Sequence, residues 1–292
     1  MSTATLGKTG ISISSLGFGA MWLSIDGRPP SEQATAVLQR AVQRGATFID
    51  TADSYCIDEA DKHHNERLIA AALSHSQGAA PRIVATKGGL IRPEGRWEVN
   101  GDPRHLTAAI RHSFEALGGE RPIALWQWHA PDPRYPIEES LLPVRQAVKE
   151  GLIQHVGLSN VSVEQIKEAR DMLDIVSVQN RYSLWHRQPE RDGVLAYCER
   201  VGLTFFAYSP LGGRLGAKAL AGHGLAVELA QHYGVTPQRI ALAWLHTKSR
   251  CIVPIPGTTR VEAADQLFTQ LNLRLTPDEA RALEAAPLPP SA

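Results

Sequence analysis

The feature that most limits what this chain can fold into is an alternation. Short apolar runs that suit buried strands, "SLGFGA", "ATFID", "RIVATK", "IALWQWH", "QHVGLSN", "IVSVQN", "LTFFAYS" and "CIVPIP", are each followed by a segment of helical spacing. The strand–helix pair recurs about every thirty residues, the size of a βαβ element. In "SEQATAVLQRAVQRG", Ala34, Val37, Leu38, Ala41 and Val42 share one face, Ser31 stands as N-cap and Gly45 lies past the end. In "GDPRHLTAAIRHSFEALGG", Asp102 caps, Pro103 fills the first turn and Gly118 stops the helix. Its stripe is Leu106, Ile110, Phe114 and Leu117. Further helices are expected in "NERLIAAAL", "IEESLLPVRQAVKEG", "SVEQIKEARDML" and "RDGVLAYCERVG", across 224–247, and from 260 onward.

Strands that are apolar throughout belong to a parallel sheet covered by helices. About eight such units in one uninterrupted run favour a closed (β/α)8 TIM barrel, an α/β fold, over an open doubly wound sheet. The opening "TATLGKTGISISSLGFG" adds an N-terminal β-hairpin around a Lys-Thr-Gly turn. No linker divides the chain, so residues 1–292 are expected to form a single domain.

Composition narrows the partners. Thirty Lys plus Arg balance thirty Asp plus Glu, which argues against nucleic acid or an anionic membrane as the main partner. The N-terminus "MSTATLGKTG" lacks the apolar core of a signal peptide, and no stretch approaches a membrane span. Three widely spaced cysteines, Cys56, Cys198 and Cys251, form no CxxC pattern, so a reducing cytoplasm is the expected location. His63 and His64 lack a third ligand at sensible spacing, so no metal is expected and the pair reads as a solvated loop. Nothing here fixes an oligomeric state; a monomer is compatible with the sequence.

In a barrel of this kind the active site lies at the C-terminal ends of the strands. Asp50 stands there, with Tyr55 on the loop that follows, then Lys87, His129, Ser159 and Asn160, Gln179, and Tyr208 with Ser209. Singly, each reads as a capping or solvated residue. Together they place an acid, a phenol, an ammonium and an imidazole at one mouth. A phenol titrates near pH 10. A neighbouring ammonium is expected to lower that value, a carboxylate to hold the ammonium, and an imidazole to direct a substrate oxygen to the phenol. Such a ring suits protonation of an oxygen on which negative charge develops. Carbonyl reduction needs that and also a hydride, which a redox cofactor must supply. "SPLGGRLG" and "PGTTR", after the last two strands, offer glycines, hydroxyls and Arg260 for a phosphate. No GxGxxG follows a strand, so the site is not of the Rossmann type.

The stretches "GFGAMW", "FIDTADSY", "NERLIAAAL", "ATKGG", "QWHAPD", "GLSN", "VQNRYS", "AYSPLGG" and "PIPGTTR", in this order, resemble the aldo-keto reductase family over essentially the full chain. The short C-terminus and "PGTTR" are similar to its bacterial type. The resemblance implies a (β/α)8 barrel binding an extended NADPH, with Asp50, Tyr55, Lys87 and His129 catalytic and Tyr55 the acid in reduction. It implies that Ser159, Asn160 and Gln179 hold the carboxamide and that Tyr208 stacks on the nicotinamide. Ser209, Leu211 and Gly213 would line the pyrophosphate, and Gly257, Thr258, Thr259 and Arg260 would surround the 2′-phosphate. Many relatives carry Glu-Asn at the adenine end, where this chain has Gln266 and Leu267, after Ala263. Gln266 is left as the adenine-end contact, and NADH stays open beside NADPH. Met21, Trp22, Trp97 and Trp185 are expected around an open pocket for modest aldehydes or ketones, with the loop "IRPEGRWEVNGDP" on one side and the tail "APLPPSA" too short to form a wall. Cys56, beside Tyr55, is expected to be an inert thiol. Two other functions stay open: an NAD-dependent sugar or polyol dehydrogenase, and a cofactor-sensing binding subunit of low turnover.

Overall fold

The computed structural model describes residues 3–74, 83–269 and 272–286. Its main sheet has eight strands in chain order: β1 (Phe18–Gly19), β2 (Phe48–Asp50), β3 (Ile83–Gly88), β4 (Leu125–Trp128), β5 (Val156–Ser159), β6 (Ile175–Arg181), β7 (Thr204–Tyr208) and β8 (Ile252–Pro254). Each pairs in parallel with the next. The two ends of the sheet meet: Gly17 N–H donates to the Pro254 carbonyl and Gly19 N–H to that of Pro256, both at 2.9 Å. Only glycine permits this approach. A Cβ on Gly19 would lie 2.7 Å from the Ile255 oxygen, and one on Gly257 2.2 Å from the Gly19 oxygen. The glycines of "GFG" and "PGTTR" therefore close the barrel, whatever else they do.

The helices around it are α1 (Ser31–Gln43), α2 (His64–Ser74), α3 (Pro103–Ala116), α4 (Ile137–Lys149), α5 (Val163–Met172), α6 (Val194–Val201), α7 (Pro237–Lys248) and α8 (Val261–Leu267). Shorter helices at Gln188–Arg191 and Gly213–Ala219, and two more at Gly224–Tyr233 and Pro277–Ala285, are added to this plan. Asp102 caps α3 as expected, accepting from Arg104 N–H at 2.7 Å. Ser31 does not cap α1. Pro30 holds the cap position in an extended conformation without a side-chain bond, and Ser31 is already helical.

Packing occurs in two layers. Leu6, Ile13, Phe48, Leu125, Phe206 and Val253 belong to the cluster that fills the barrel interior, where the Phe48 and Phe206 rings stack at 4.1 Å. A larger cluster fills the space between strands and helices. The hairpin, Thr3–Thr5 against Ser12–Ser14, plugs the end where the strands begin. Its Leu6 and Ile13 enter the interior, and Gly7 N–H donates to Thr204 Oγ1 at 2.7 Å. The opening is left at the C-terminal ends of the strands. Among the described residues no helix is long and apolar enough to cross a membrane. Arg82 of the expected strand "RIVATK", and the tail from residue 287, lie outside the described residues.

Candidate active site

β2 and β3 are neighbours, so their C-terminal ends bring Asp50 and Lys87 together inside the barrel. Lys87 is fully buried and Asp50 nearly so. Lys87 Nζ donates to Asp50 Oδ2 at 2.8 Å, to the Thr51 carbonyl at 2.8 Å and to the Tyr55 hydroxyl at 2.9 Å. An ammonium is tolerated in such a place because all three of its hydrogens find acceptors. Burial still pulls Lys87 below the usual ammonium range, with Asp50 opposing. The other Asp50 oxygen accepts from Gln179 Nε2 at 2.8 Å.

The Tyr55 phenol departs from the sequence expectation. Burial pushes it well above its ordinary value, and the Asp50 charge adds to the rise. The hydrogen bond from Lys87 does not reverse this rise. Tyr55 is thus a phenol, not a phenolate, at neutral pH. The His129 ring stands edge-on to it, 5.8 Å between centroids. Burial, and after it the Lys87 charge, holds this imidazole well below its ordinary range, so it is neutral; its Nδ1 is buried without a hydrogen-bond partner.

From His129 a polar chain runs around the rim. Asn160 Nδ2 donates to the His129 carbonyl at 2.9 Å, and Asn160 Oδ1 accepts from the Tyr208 hydroxyl at 2.8 Å. Ser159 Oγ donates to the Gln179 carbonyl at 2.8 Å. Asn160 and Ser209 hold left-handed backbone conformations, φ 59° and 47°. Such conformations cost energy in non-glycine residues and occur where the surroundings fix them.

These groups line one cavity of about 550 Å³. Met21, Trp22 and Trp97 share its wall with Asp50, Tyr55 and His129; Ser159, Asn160, Gln179 and Tyr208 line it further on. Ser209, Leu211, Gly213 and residues 257–260 form its other arm. Lys87 lies beneath the wall. Gln266 is exposed on α8 and is not among the residues lining the cavity, while the next residue, Leu267, faces the core. Trp185 packs under the Gly213–Ala219 helix, where a Cβ on Gly212 would meet its ring at 2.6 Å.

Several wall residues were not anticipated. Leu90, Ile255 and Pro256 are apolar and carried no signal. Arg214 did carry one, a charge directly after two glycines in "SPLGGRLG". It lies in a short helix, not the flexible turn the glycines suggest, and its guanidinium sits over Trp22 at 5.3 Å. Among the described residues neither Arg214 nor Arg260 has a carboxylate partner.

Behind this polar ring lies a further polar layer. Asp53, fully buried, has no hydrogen-bond partner for either oxygen, and Lys62 Nζ approaches only to 3.6 Å. Burial pushes this carboxyl up to about 7. His63 and His64 are not solvated loop residues: His63 Nδ1 pairs with Glu66 at 2.6 Å and His64 Nδ1 with Ser24 Oγ at 2.8 Å. Among the described residues no His, Cys, Asp and Glu cluster has the arrangement of a metal site. Cys56 is buried, its thiol pushed up to about 12 by burial, which leaves negligible thiolate at neutral pH.

Comparison with known proteins agrees with this geometry. Residues 15–287 match the sequence model of the aldo/keto reductase family. An uncharacterized oxidoreductase of Schizosaccharomyces pombe, C215.11c, is 36% identical over 270 residues, covering 90% of this chain and 83% of its own. The thermostable aldo-keto reductase Tm1743, solved with the inhibitor epalrestat, superposes with a TM-score of 0.81 at 29% identity, over 98% of this chain and 99% of its own. An aldo-keto reductase from Klebsiella pneumoniae, solved with NADPH, shares the fold with a TM-score of 0.80 at 23% identity, over 97% and 95% of the two chains. With its closed barrel and a match that spans nearly its whole length, this chain is an oxidoreductase that belongs to the aldo/keto reductase family.

Proposed function

We propose that this protein is an NADPH-dependent reductase of aldehydes and ketones in which Asp50, Tyr55, Lys87 and His129 carry the chemistry. The observation that supports this most is the single ammonium that reaches both the Tyr55 hydroxyl, at 2.9 Å, and the Asp50 carboxylate, at 2.8 Å, at the floor of the cavity. Tyr55 accepts a bond from Lys87 through its oxygen, so that bond leaves the phenol's own hydrogen to be donated. A carbonyl oxygen placed between Tyr55 and the neutral His129 receives that hydrogen as negative charge grows on it. The oxygen left on Tyr55 then keeps its Lys87 hydrogen bond, which strengthens as the phenolate charge develops. The raised phenol favours the reductive direction, since the proton is present over the whole neutral range.

A bound nicotinamide dinucleotide phosphate supplies the hydride. The residues present fit it. One continuous cavity joins Tyr55 to Arg260, and its far arm offers two guanidinium groups that no carboxylate of the described residues neutralises. Ser159, Asn160 and Gln179 are assigned to the carboxamide, Tyr208 to the ring, Ser209, Leu211 and Gly213 to the diphosphate. Gly257, Thr258, Thr259 and Arg260 are assigned to the 2′-phosphate. Gln266 is assigned to the adenine end, and Arg260 is the chief reason to place NADPH before NADH. Purified protein should reduce simple aldehydes with NADPH, and Tyr55→Phe should lower kcat by about 10²–10⁴-fold with cofactor binding retained. Equal turnover by both proteins would refute the assignment.

A further inference from the structure

The loop "IRPEGRWEVN" carries Trp97 over the substrate end of the cavity, and one residue within it does an unexpected thing. Arg92 is only 4% exposed, yet among the described residues no carboxylate faces its guanidinium. Instead Arg92 Nη2 and Nε donate to the Gly95 carbonyl at 2.7 and 3.1 Å, and Nη2 also to the Ile57 carbonyl at 3.2 Å. Its backbone N–H donates to Glu59 Oε2 at 2.7 Å. These bonds tie the tip of one loop, where Glu94 and Gly95 have φ of 50° and 78°, to the loop that carries Tyr55. The guanidinium plane then covers the Trp97 ring, 3.8 Å from its centroid. A cation stacked on an indole this closely is among the stronger aromatic contacts.

Trp97 needs such a fastening. It is 45% exposed, on a hairpin of two-residue strands, Leu90–Ile91 and Glu98–Val99. Its other ring contact is with Tyr55, edge to face, centroids 6.3 Å apart and planes at 80°. With one indole face occupied by Arg92, the ring is held as a flat wall standing directly beside the hydroxyl that donates the proton.

We propose that Arg92 is a positioning residue for substrate choice: by pinning the Trp97 indole next to Tyr55, it makes the pocket select flat, conjugated carbonyl compounds, aromatic aldehydes above all, over puckered or branched aliphatic ones of the same size. This rests on the reductase reading above. A planar ring slides along a fixed indole with offset stacking, whereas a saturated ring of equal carbon count holds its hydrogens off the same surface. Arg92 does not line the cavity and acts through Trp97 alone.

Benzaldehyde and cyclohexanecarbaldehyde, with the same number of carbons, form the test pair. The quantity read is the ratio of their kcat/KM values with NADPH in wild type, Trp97→Ala, Trp97→Phe, Arg92→Met and the double variant Arg92→Met/Trp97→Ala. The ratio should fall about five- to tenfold in Trp97→Ala, mostly through KM for benzaldehyde, and be largely kept in Trp97→Phe. It should fall to a similar extent in Arg92→Met and no further in the double variant, because the two residues act as one unit. The dissociation constant for NADPH, read by fluorescence titration, should stay within about twofold in Arg92→Met. Independent, additive losses in the two single variants, or a ratio in Arg92→Met equal to that of wild type, overturn the inference while the reductase reading stands. Failure of wild type to turn over either aldehyde overturns both.

Discussion

The two ends of the cavity are built on opposite plans. At the Tyr55 end the central ion pair is matched before any ligand arrives: Lys87 uses all three hydrogens, and both Asp50 oxygens are taken. At the Arg260 end, Arg214 leans on an indole, and Arg260 contributes only a backbone bond to Thr258 Oγ1 at 3.2 Å. The difference fits the roles proposed for the two ends. A proton-transfer site gains from groups already held in the geometry of the transition state, so that nothing reorganises during the reaction. A site for a polyanion gains from cations whose partner is the ligand itself, because an internal carboxylate would compete with it.

Removal of Lys87 should break this contrast most severely. Lys87→Met leaves Asp50 buried without its cation and Tyr55 without its hydrogen-bond donor. The expected losses are about 10²–10⁴-fold in kcat and roughly 3–5 kcal/mol of stability. Single-turnover rates and denaturant melts measure the two, and a variant within tenfold of wild type would show that the matched end is not the reacting end. Arg260→Ala tests the opposite plan with a smaller effect. One charge-assisted contact to a phosphate is worth about 1.5–3 kcal/mol, so NADPH should bind roughly ten- to hundredfold more weakly, with NADH binding unchanged and the melting temperature little affected. Equal weakening of both cofactors would move the 2′-phosphate elsewhere.

Asp53→Asn sharpens the comparison at its weakest point, the one carboxylate of the matched end that has no hydrogen bond. The folded protein holds this group at about 7, above its ordinary value of 3.8. Between these values the native state keeps a proton that the unfolded chain releases, so stability falls as pH rises from about 4 and the full loss is present above about 7. An amide in its place does not titrate and has no such loss. The variant should be more stable than wild type at pH 8, by on the order of a few kcal/mol in denaturant melts, and gain little at pH 4. A gain independent of pH would mean that Asp53 is ionised in the folded state throughout.

Much of this was legible in the residues. The repeat of strand and helix, the hairpin and the polar strand ends could be read because each depends on local order: apolar runs, cap residues, and the rule that strand ends share one mouth. Cap positions were less secure. Ser31 carries the right side chain for a cap, but Pro30 before it takes the turn into α1. The exposure of Gln266 was not legible either: the turn of α8 that buries Leu267 sets it at the surface. Arg92 gave little notice, since an arginine in a loop is usually solvated and only its three-dimensional neighbours say otherwise.

The sequence by itself determined the barrel, the family resemblance and the identity of the groups at the mouth, because these follow from patterns of residue type along the chain. Only the tertiary structure decided their states. Whether a phenol is made more or less acidic depends on the sum of burial and all nearby charges, and at Tyr55 burial together with the Asp50 charge outweighs the Lys87 hydrogen bond. Which indole stands beside Tyr55, and what holds it there, depends likewise on contacts between loops that the chain order does not reveal.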